Sequence, residues 1–244
     1  IDQKKIIRKA DITMVDDGRK TTKNEKMSMK ENERLLIEKF KMIEPVEKSY
    51  EEQAKRRWKT VAKPLFSLGK LEDAVIRMAG IRREADFEIK KKGLLIFCAD
   101  NGVVSEGVTQ TGQEVTAIVA DNFTKCATSV CIMAQTAEVD LFPIDIGMAV
   151  DTPRVEKRKV AYGTKNFAKE RAMTREEAVQ ALETGIRLVG ELKEQGYCVF
   201  ATGEMGIGNT TTSSAIASAL LNVPAEEMTG RGAGLSSSGL AKKI

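Results

Sequence analysis

Three short apolar runs, each followed by apolar residues at helical spacing, constrain the fold of this chain more than any other feature. Leu94 to Ala99 reads as a buried strand, with Asp100-Asn101-Gly102 as its exit turn. Val115, Ile118, Val119, Phe123 and Cys126 then recur at helical spacing. A second strand is expected near Glu138 to Ile146. Thr174-Arg-Glu-Glu177 has the form of a capping box and opens a long helix. Its expected apolar face is Ala178, Ala181, Leu182, Ile186, Val189 and Leu192, and Gly196 stops it. A third strand follows at Tyr197 to Thr202, then a glycine loop, then a helix from Thr210 to Leu221. Strands that alternate with helices pair in parallel, because a parallel connection needs a crossover long enough to hold a helix.

The front third reads differently. Leu36, Phe40 and Ile43 share a helical face, as do Ala54, Trp58 and Val61, with Pro64 breaking that second helix. Ser67-Leu68-Gly69 is a turn before a third helix carrying Leu71, Ala74, Val75 and Met78, which Gly80 is expected to close. Residues 1–26 are polar without an apolar period and read as a flexible extension. The expected organisation is therefore an extension over 1–26, a small helical N-terminal subdomain over 27–92, and a nucleotide-binding α/β domain over 93–244. That domain is expected to hold a doubly wound, mostly parallel, Rossmann-like sheet.

Composition narrows the chemistry. The 244 residues include no histidine, which removes Ser-His and Cys-His nucleophile pairs and histidine metal sites. Cys98, Cys126, Cys131 and Cys198 form no Cys-x-x-Cys pair, so no metal site is expected. The two cysteines in strand-like runs read as buried small hydrophobes. The net charge of +4 is uneven, with 25 basic and 17 acidic residues over 1–92 against 14 and 18 over 93–244. The basic excess interleaves with helical apolar positions, as on solvated helix faces, so no nucleic-acid partner is expected. The longest clean apolar stretch, Leu94 to Ala99, is far short of a membrane span, and the N-terminus is charged. A cytoplasmic protein without a membrane partner is the expectation.

Ala201-Thr-Gly-Glu-Met-Gly-Ile-Gly-Asn-Thr-Thr-Thr212 is the most informative segment. It joins a strand to a helix, and Gly203, Gly206 and Gly208 permit close ligand approach and positive φ. The free N–H groups and dipole of the helix favour an anion, and Asn209 and Thr210 to Thr212 add caps and donors. A phosphate-bearing ligand fits, and so does a tight turn with ordinary capping. Glu204, at a strand's carboxyl end, is suited either to ribose hydroxyls or a developing cation, or to local backbone pairing. A second glycine loop, Gly230-Arg-Gly-Ala-Gly234, includes Gly232; its amides, with Arg231 or Lys243, could hold another face of a phosphate. Asp100 and Asp145 sit at strand ends as either ligand contacts or turn formers, and Gln113 begins the next helix.

Five segments in this order resemble the nicotinate-nucleotide–dimethylbenzimidazole phosphoribosyltransferase family of cobamide assembly. They are Lys63-Pro-Leu-Phe-Ser-Leu-Gly-Lys-Leu-Glu72, Ala99-Asp-Asn-Gly-Val-Val-Ser-Glu-Gly107, Gln113-Glu-Val-Thr116, Gly203-Glu-Met-Gly-Ile-Gly-Asn-Thr-Thr211 and Gly230-Arg-Gly-Ala-Gly-Leu235. The resemblance implies transfer of phosphoribosyl from nicotinate mononucleotide to dimethylbenzimidazole or a related azole, in a homodimer, without cofactor. It implies that Glu204, Gly206, Gly208 and Asn209 line the ribose and phosphate, that Gly232, Gly234 and Lys243 complete the phosphate site, and that Asp100 to Gln113 border the base pocket. It also implies that the family's main catalytic glutamate lies beyond Ile244, which leaves Glu204 as at most a weaker substitute base in the catalytic role. A degenerate member that binds nucleotide or pairs with a longer homologue is the alternative. Phe66 replaces a usual glycine, Ser237-Ser238 stand where Asp-Glu is common, and Thr111-Gly112 stand where Tyr-Pro is frequent.

Overall fold

The structure, a computed structural model, describes residues 29–244; the extension expected over 1–26 lies outside them. The described residues up to Ile89 form one compact unit and Lys90–Ile244 another. Among the described residues, no helix is long and apolar enough to cross a membrane.

The first unit holds α1 (Met29–Lys41), α2 (Lys48–Thr60) and α3 (Lys70–Arg82). Leu36, Ala54 and Ala79 are its buried apolar residues. Glu47 caps α2 by accepting from the Ser49 amide, and the Val61 amide closes its far end on the Trp58 carbonyl. Gly80 does not stop α3, as its residue type suggested. It lies inside the helix, where an added Cβ would sit 2.5 Å from Val46 Cγ1 and 2.7 Å from Glu51 Cγ, so it permits close helix contact. The helix ends instead at Arg83, in the left-handed region with φ +54°. Between α2 and α3, Lys63 pairs with Glu72 at 2.6 Å, and the same carboxylate accepts from the Leu68 amide at 3.1 Å. The Lys63 ammonium holds the Glu72 carboxyl below the usual carboxylate range.

Phe66 occupies this loop with φ +59° and is 75% exposed. A left-handed backbone costs a non-glycine residue about 1–2 kcal/mol, and no packing of the ring offsets it. The resemblance places a glycine here, and the conformation explains why. Phe66→Gly is expected to raise the unit's stability by about 0.5–1 kcal/mol after glycine's extra chain entropy is set against the relieved strain. Thermal melting monitored by Trp58 fluorescence checks this; an unchanged or lower midpoint would count against the strain.

The second unit contains β1 (Lys91–Ala99), a 3₁₀ turn (Gly102–Glu106), α4 (Glu114–Thr124), α5 (Ser129–Thr136), β2 (Asp140–Gly147), β3 (Glu156–Lys157), α6 (Arg175–Glu194), β4 (Tyr197–Met205), α7 (Asn209–Leu221), α8 (Ala225–Met228) and α9 (Ser237–Lys243). The sheet order is β3-β2-β1-β4, every pairing parallel. Alternate residues of β1 bury opposite faces, as a strand covered on both sides requires. Ile96 and Cys98 pack with Ala117, Ala120 and Phe123 of α4 and Cys131 of α5. Leu95 packs on the other face with Ile144, Leu188, Leu192 and Tyr197, partly buried Phe97 joining it. Fully buried Leu and Ile side chains contribute about 1.5–3 kcal/mol each. This is the doubly wound parallel arrangement expected.

Local details differ. β1 starts at Lys91, and β4 runs to Met205, three residues past its expected end, because Gly203, Glu204 and Met205 pair with Ile96, Phe97 and Cys98. The α6 capping box forms in both directions between Thr174 and Glu177. Its buried face is Val179, Thr184, Leu188 and Leu192; Leu182 is 51% exposed, with Ile186 and Val189 also solvent-facing. In α4, Thr116 replaces Ile118 on the buried side, and Cys126 lies past the helix, exposed. Cys198 is only half-buried.

Candidate functional site

The carboxyl ends of β1 and β4 place two chain segments together: Asp100–Gly107 after β1 and Gly206–Thr212 after β4. Asn101 joins them. Its Nδ2 donates to the Ile207 carbonyl at 3.0 Å and to Asn209 Oδ1 at 2.7 Å, while its Oδ1 accepts from Thr212 Oγ1 at 2.8 Å. Its own carbonyl accepts from Gln113 Nε2 at 3.0 Å. Thr116, fully buried on α4, accepts from the Ile207 amide at 3.0 Å. The loop is thus held from β1 and from α4 before α7 begins.

The three glycines of this segment have separate reasons. Gly208 is the N-cap of α7 with φ +95°, a conformation that favours glycine. Gly206 has an ordinary φ, but a Cβ there would lie 2.1 Å from the Ala99 carbonyl oxygen. Gly203 is in the strand, where a Cβ would crowd Ile96 Cγ1 at 3.1 Å. Gly203 is therefore a packing position, and neither it nor Gly206 has the positive φ that its sequence suggested.

The second glycine loop meets the start of α7. Lys243 Nζ, on α9, donates to Thr210 Oγ1 at 2.9 Å and to the Gly230 carbonyl at 3.1 Å. Gly232, with φ +57°, passes so close that a Cβ would stand 2.7 Å from Thr210 Oγ1 and 3.4 Å from Lys243 Nζ. Gly234, with φ +115°, is anchored through its carbonyl by Gln110 Nε2 at 2.6 Å. Arg231 turns away from this junction, donating to the Leu235 carbonyl and to Ser237 Oγ. Lys243 is 9% exposed and, among the described residues, makes no ion pair. Burial pushes its ammonium below the ordinary lysine value. A buried cation with neutral partners beside a helix N-terminus is chemically suited to an anion. Behind it runs a cleft of about 540 Å³ whose walls include Val103, Val108, Phe167, Thr211 and Lys243 itself. The Thr211 hydroxyl is buried there without a partner among the described residues.

Two of the singled-out carboxylates serve the scaffold. Asp100 is buried, and its Oδ2 accepts from the Ala149 amide at 2.7 Å, which ties β1 to the turn after β2. It therefore lies beneath the rim rather than on it. Asp145 accepts from the Met148 amide at 2.8 Å and faces Lys159 Nζ at 3.1 Å. Glu204 is exposed near the end of β4. Its pairing with Phe97 puts its side chain on the α6 side of the sheet, and among the described residues it has neither hydrogen bond nor ion pair. Cys98 beneath them is no nucleophile: burial pushes its thiol up to about 12, and Asp145, Asp100 and Glu204 add to the rise. Among the described residues, no three His, Cys, Asp or Glu side chains are placed to hold a metal ion.

The structure thus gathers Gln113, Gly206, Gly208, Asn209, Thr210, Gly232, Gly234 and Lys243 around one rim through linked contacts. Asp100 and Gly203 are set into the fabric below, and Glu204 stands on one face of β4. Sequence reasoning missed Asn101 and Thr116 as residues that hold the loop; Thr212 was expected as a donor there, and its partner is Asn101.

Comparison with known proteins identifies the family. A family model described as phosphoribosyltransferase (DBI_PRT) matches residues 43–244. The nicotinate-nucleotide–dimethylbenzimidazole phosphoribosyltransferase of Clostridium tetani is 43% identical over 86% of this chain and 59% of its own length. That of Ruminiclostridium cellulolyticum is 47% identical over 79% and 55%. The crystal structure of CobT from Thermus thermophilus superposes with a TM-score of 0.73 at 36% identity, covering 80% of this chain and 60% of that one. The chain spans less than two thirds of the length of these relatives. The match over residues 43–244 settles the family: the chain belongs to the DBI_PRT phosphoribosyltransferases.

Proposed function

We propose that this chain holds nicotinate mononucleotide and supports transfer of its phosphoribosyl group to dimethylbenzimidazole or a related azole. The observation that carries the reading is Lys243, a buried ammonium whose partners among the described residues are neutral, set against the N-terminus of α7. The names of the relatives supply the substrates.

In this reading the 5′-phosphate takes the Lys243 ammonium and the amides at the start of α7, with Thr210 donating beside them and Gly208, Gly232 and Gly234 leaving room. Gln113 borders the base on the opposite side of Asn101. A ring nitrogen of the azole attacks C1′, the C1′–nitrogen bond to nicotinate breaks, and nicotinate leaves with that bond's electron pair. The ribosylated azole then loses its N–H proton to a carboxylate. Glu204 is an exposed carboxylate on the same strand as the loop, without a partner among the described residues, and takes that proton. Binding in one orientation accounts for much of such an acceleration, because the two rings and C1′ must be aligned before attack.

Incubating the chain with nicotinate mononucleotide and dimethylbenzimidazole, with chromatography for free nicotinate and α-ribazole phosphate, tests this. Products are expected, with a rate about 10²-fold lower for Glu204→Gln, the usual scale of a lost general base. Calorimetry showing no binding of nicotinate mononucleotide would sink the reading. Binding with no turnover would take the proton acceptor's role from Glu204.

A further inference from the structure

Asn101 is buried, with 7% of its surface exposed, and both ends of its amide are engaged across more than a hundred residues of chain. Nδ2 uses both donors, one on the Ile207 carbonyl and one on Asn209 Oδ1, and Oδ1 takes the Thr212 hydroxyl. These three contacts bracket Gly208, the N-cap of α7, so they fix where the first amides of that helix point. A would-be Cβ on Gly208 lies 3.1 Å from Asn101 Cβ, which shows how closely the two backbones approach. Through its carbonyl, Asn101 also holds Gln113. One residue therefore sets the spacing between the anion-facing helix end and the side chain that borders the base.

We propose that Asn101 is a positioning residue for the phosphoribosyl site: it touches no substrate, and it fixes the α7 N-terminus and Gln113 relative to each other. The inference rests on the nucleotide reading above. Neither of the two side chains closest to it in shape makes the same three bonds. Aspartate keeps the acceptor for Thr212 but turns a carboxylate oxygen toward the Ile207 carbonyl and Asn209 Oδ1, and leucine loses all three bonds.

The test uses Asn101→Ala, Thr212→Val and Gln113→Ala with two readouts, both taken below the melting range of each variant. The first is the dissociation constant for nicotinate mononucleotide and, separately, for dimethylbenzimidazole. The second is amide hydrogen exchange over 206–212 without ligand. Asn101→Ala is expected to weaken nicotinate mononucleotide at least tenfold and to speed exchange throughout 206–212, with a smaller loss for the base because the main-chain carbonyl that holds Gln113 is kept. Thr212→Val should give a smaller effect on the nucleotide alone, and Gln113→Ala should weaken only the base. A merely structural role lowers the melting temperature and leaves the affinities of the folded protein where they were; that result overturns the proposal. If the unaltered chain binds no nucleotide, the functional reading fails by itself. Exchange over 206–212 then decides whether Asn101 positions the loop, unchanged exchange overturning it.

Discussion

Replacing Lys243 by methionine is expected to raise the dissociation constant for nicotinate mononucleotide about 10- to 150-fold while the fold survives. A hydrogen bond to a charged group contributes about 1.5–3 kcal/mol, and each 1.4 kcal/mol is tenfold in affinity. The fold survives because the ammonium's partners among the described residues are one hydroxyl and one carbonyl, and burial already disfavours its charge. Methionine keeps the length of the stem and removes the charge. The pH dependence has a definite sign. The folded chain holds the Lys243 proton less tightly than the unfolded chain does. Between the lowered value and the ordinary one, the unfolded state binds more protons, so this group makes stability rise with pH across that window. Below the lowered value both states are protonated and the cost of the buried charge is fully present. A bound phosphate favours the charged form, so nucleotide affinity falls as pH rises through the lowered value. Calorimetry across that range in two buffers of different ionisation enthalpy would show proton uptake on binding in the unaltered chain and none in Lys243→Met. Equal affinities for the two proteins would remove Lys243 from the site.

The sequence carried the layer order well, because the helices and strands here are specified by short-range patterns. The run from Leu94 to Ala99 is apolar on both faces, as a strand buried on both sides must be, and the Thr174 box caps its helix locally. What it could not carry were features set by distant partners. Leu182, Ile186 and Val189 satisfy helical spacing as well as Val179, Leu188 and Leu192 do, and only the sheet decides which stripe is covered. The three glycines after Thr202 look alike in sequence, yet one packs on Ile96, one clears the Ala99 carbonyl and one takes a positive φ. Asp100 and Asn101 were equally plausible turn formers. Their roles separate through Ala149 for the first, and through Ile207, Asn209 and Thr212 for the second. Lys243 was legible as a candidate by its place after the second glycine loop, but that it forms no ion pair among the described residues became evident only in three dimensions.

A methyl group at position 206 is the second large effect expected. Gly206→Ala would set its Cβ 2.1 Å from the carbonyl oxygen of Ala99 and 2.5 Å from Asn209 Oδ1. Ala99 is the last residue of β1, paired with Gly147 on one side of the sheet, so that carbonyl cannot move without disturbing the sheet. The loop must shift instead, and Asn209 with it, breaking the bond to Asn101. Forcing a methyl into a site this tight costs about 3 kcal/mol, at the upper end of overpacking penalties, with the lost hydrogen bond adding to it. In a unit of this size that corresponds to a melting temperature lower by roughly 6–12 °C. Because the shift displaces the first turn of α7, nucleotide affinity is expected to fall more than tenfold even well below the transition. Gly230→Ala is the control: the loop is glycine-rich there too, but nothing lies within 4 Å of the added Cβ and φ is not positive. Its stability should stay within about 0.5 kcal/mol of the unaltered chain, as for an ordinary surface substitution. Calorimetric melting and nucleotide titration of the two variants side by side separate the explanations. If both alanines behave alike, the glycines act through general loop flexibility; if only position 206 responds, its glycine is there because the end of β1 leaves no space for a side chain.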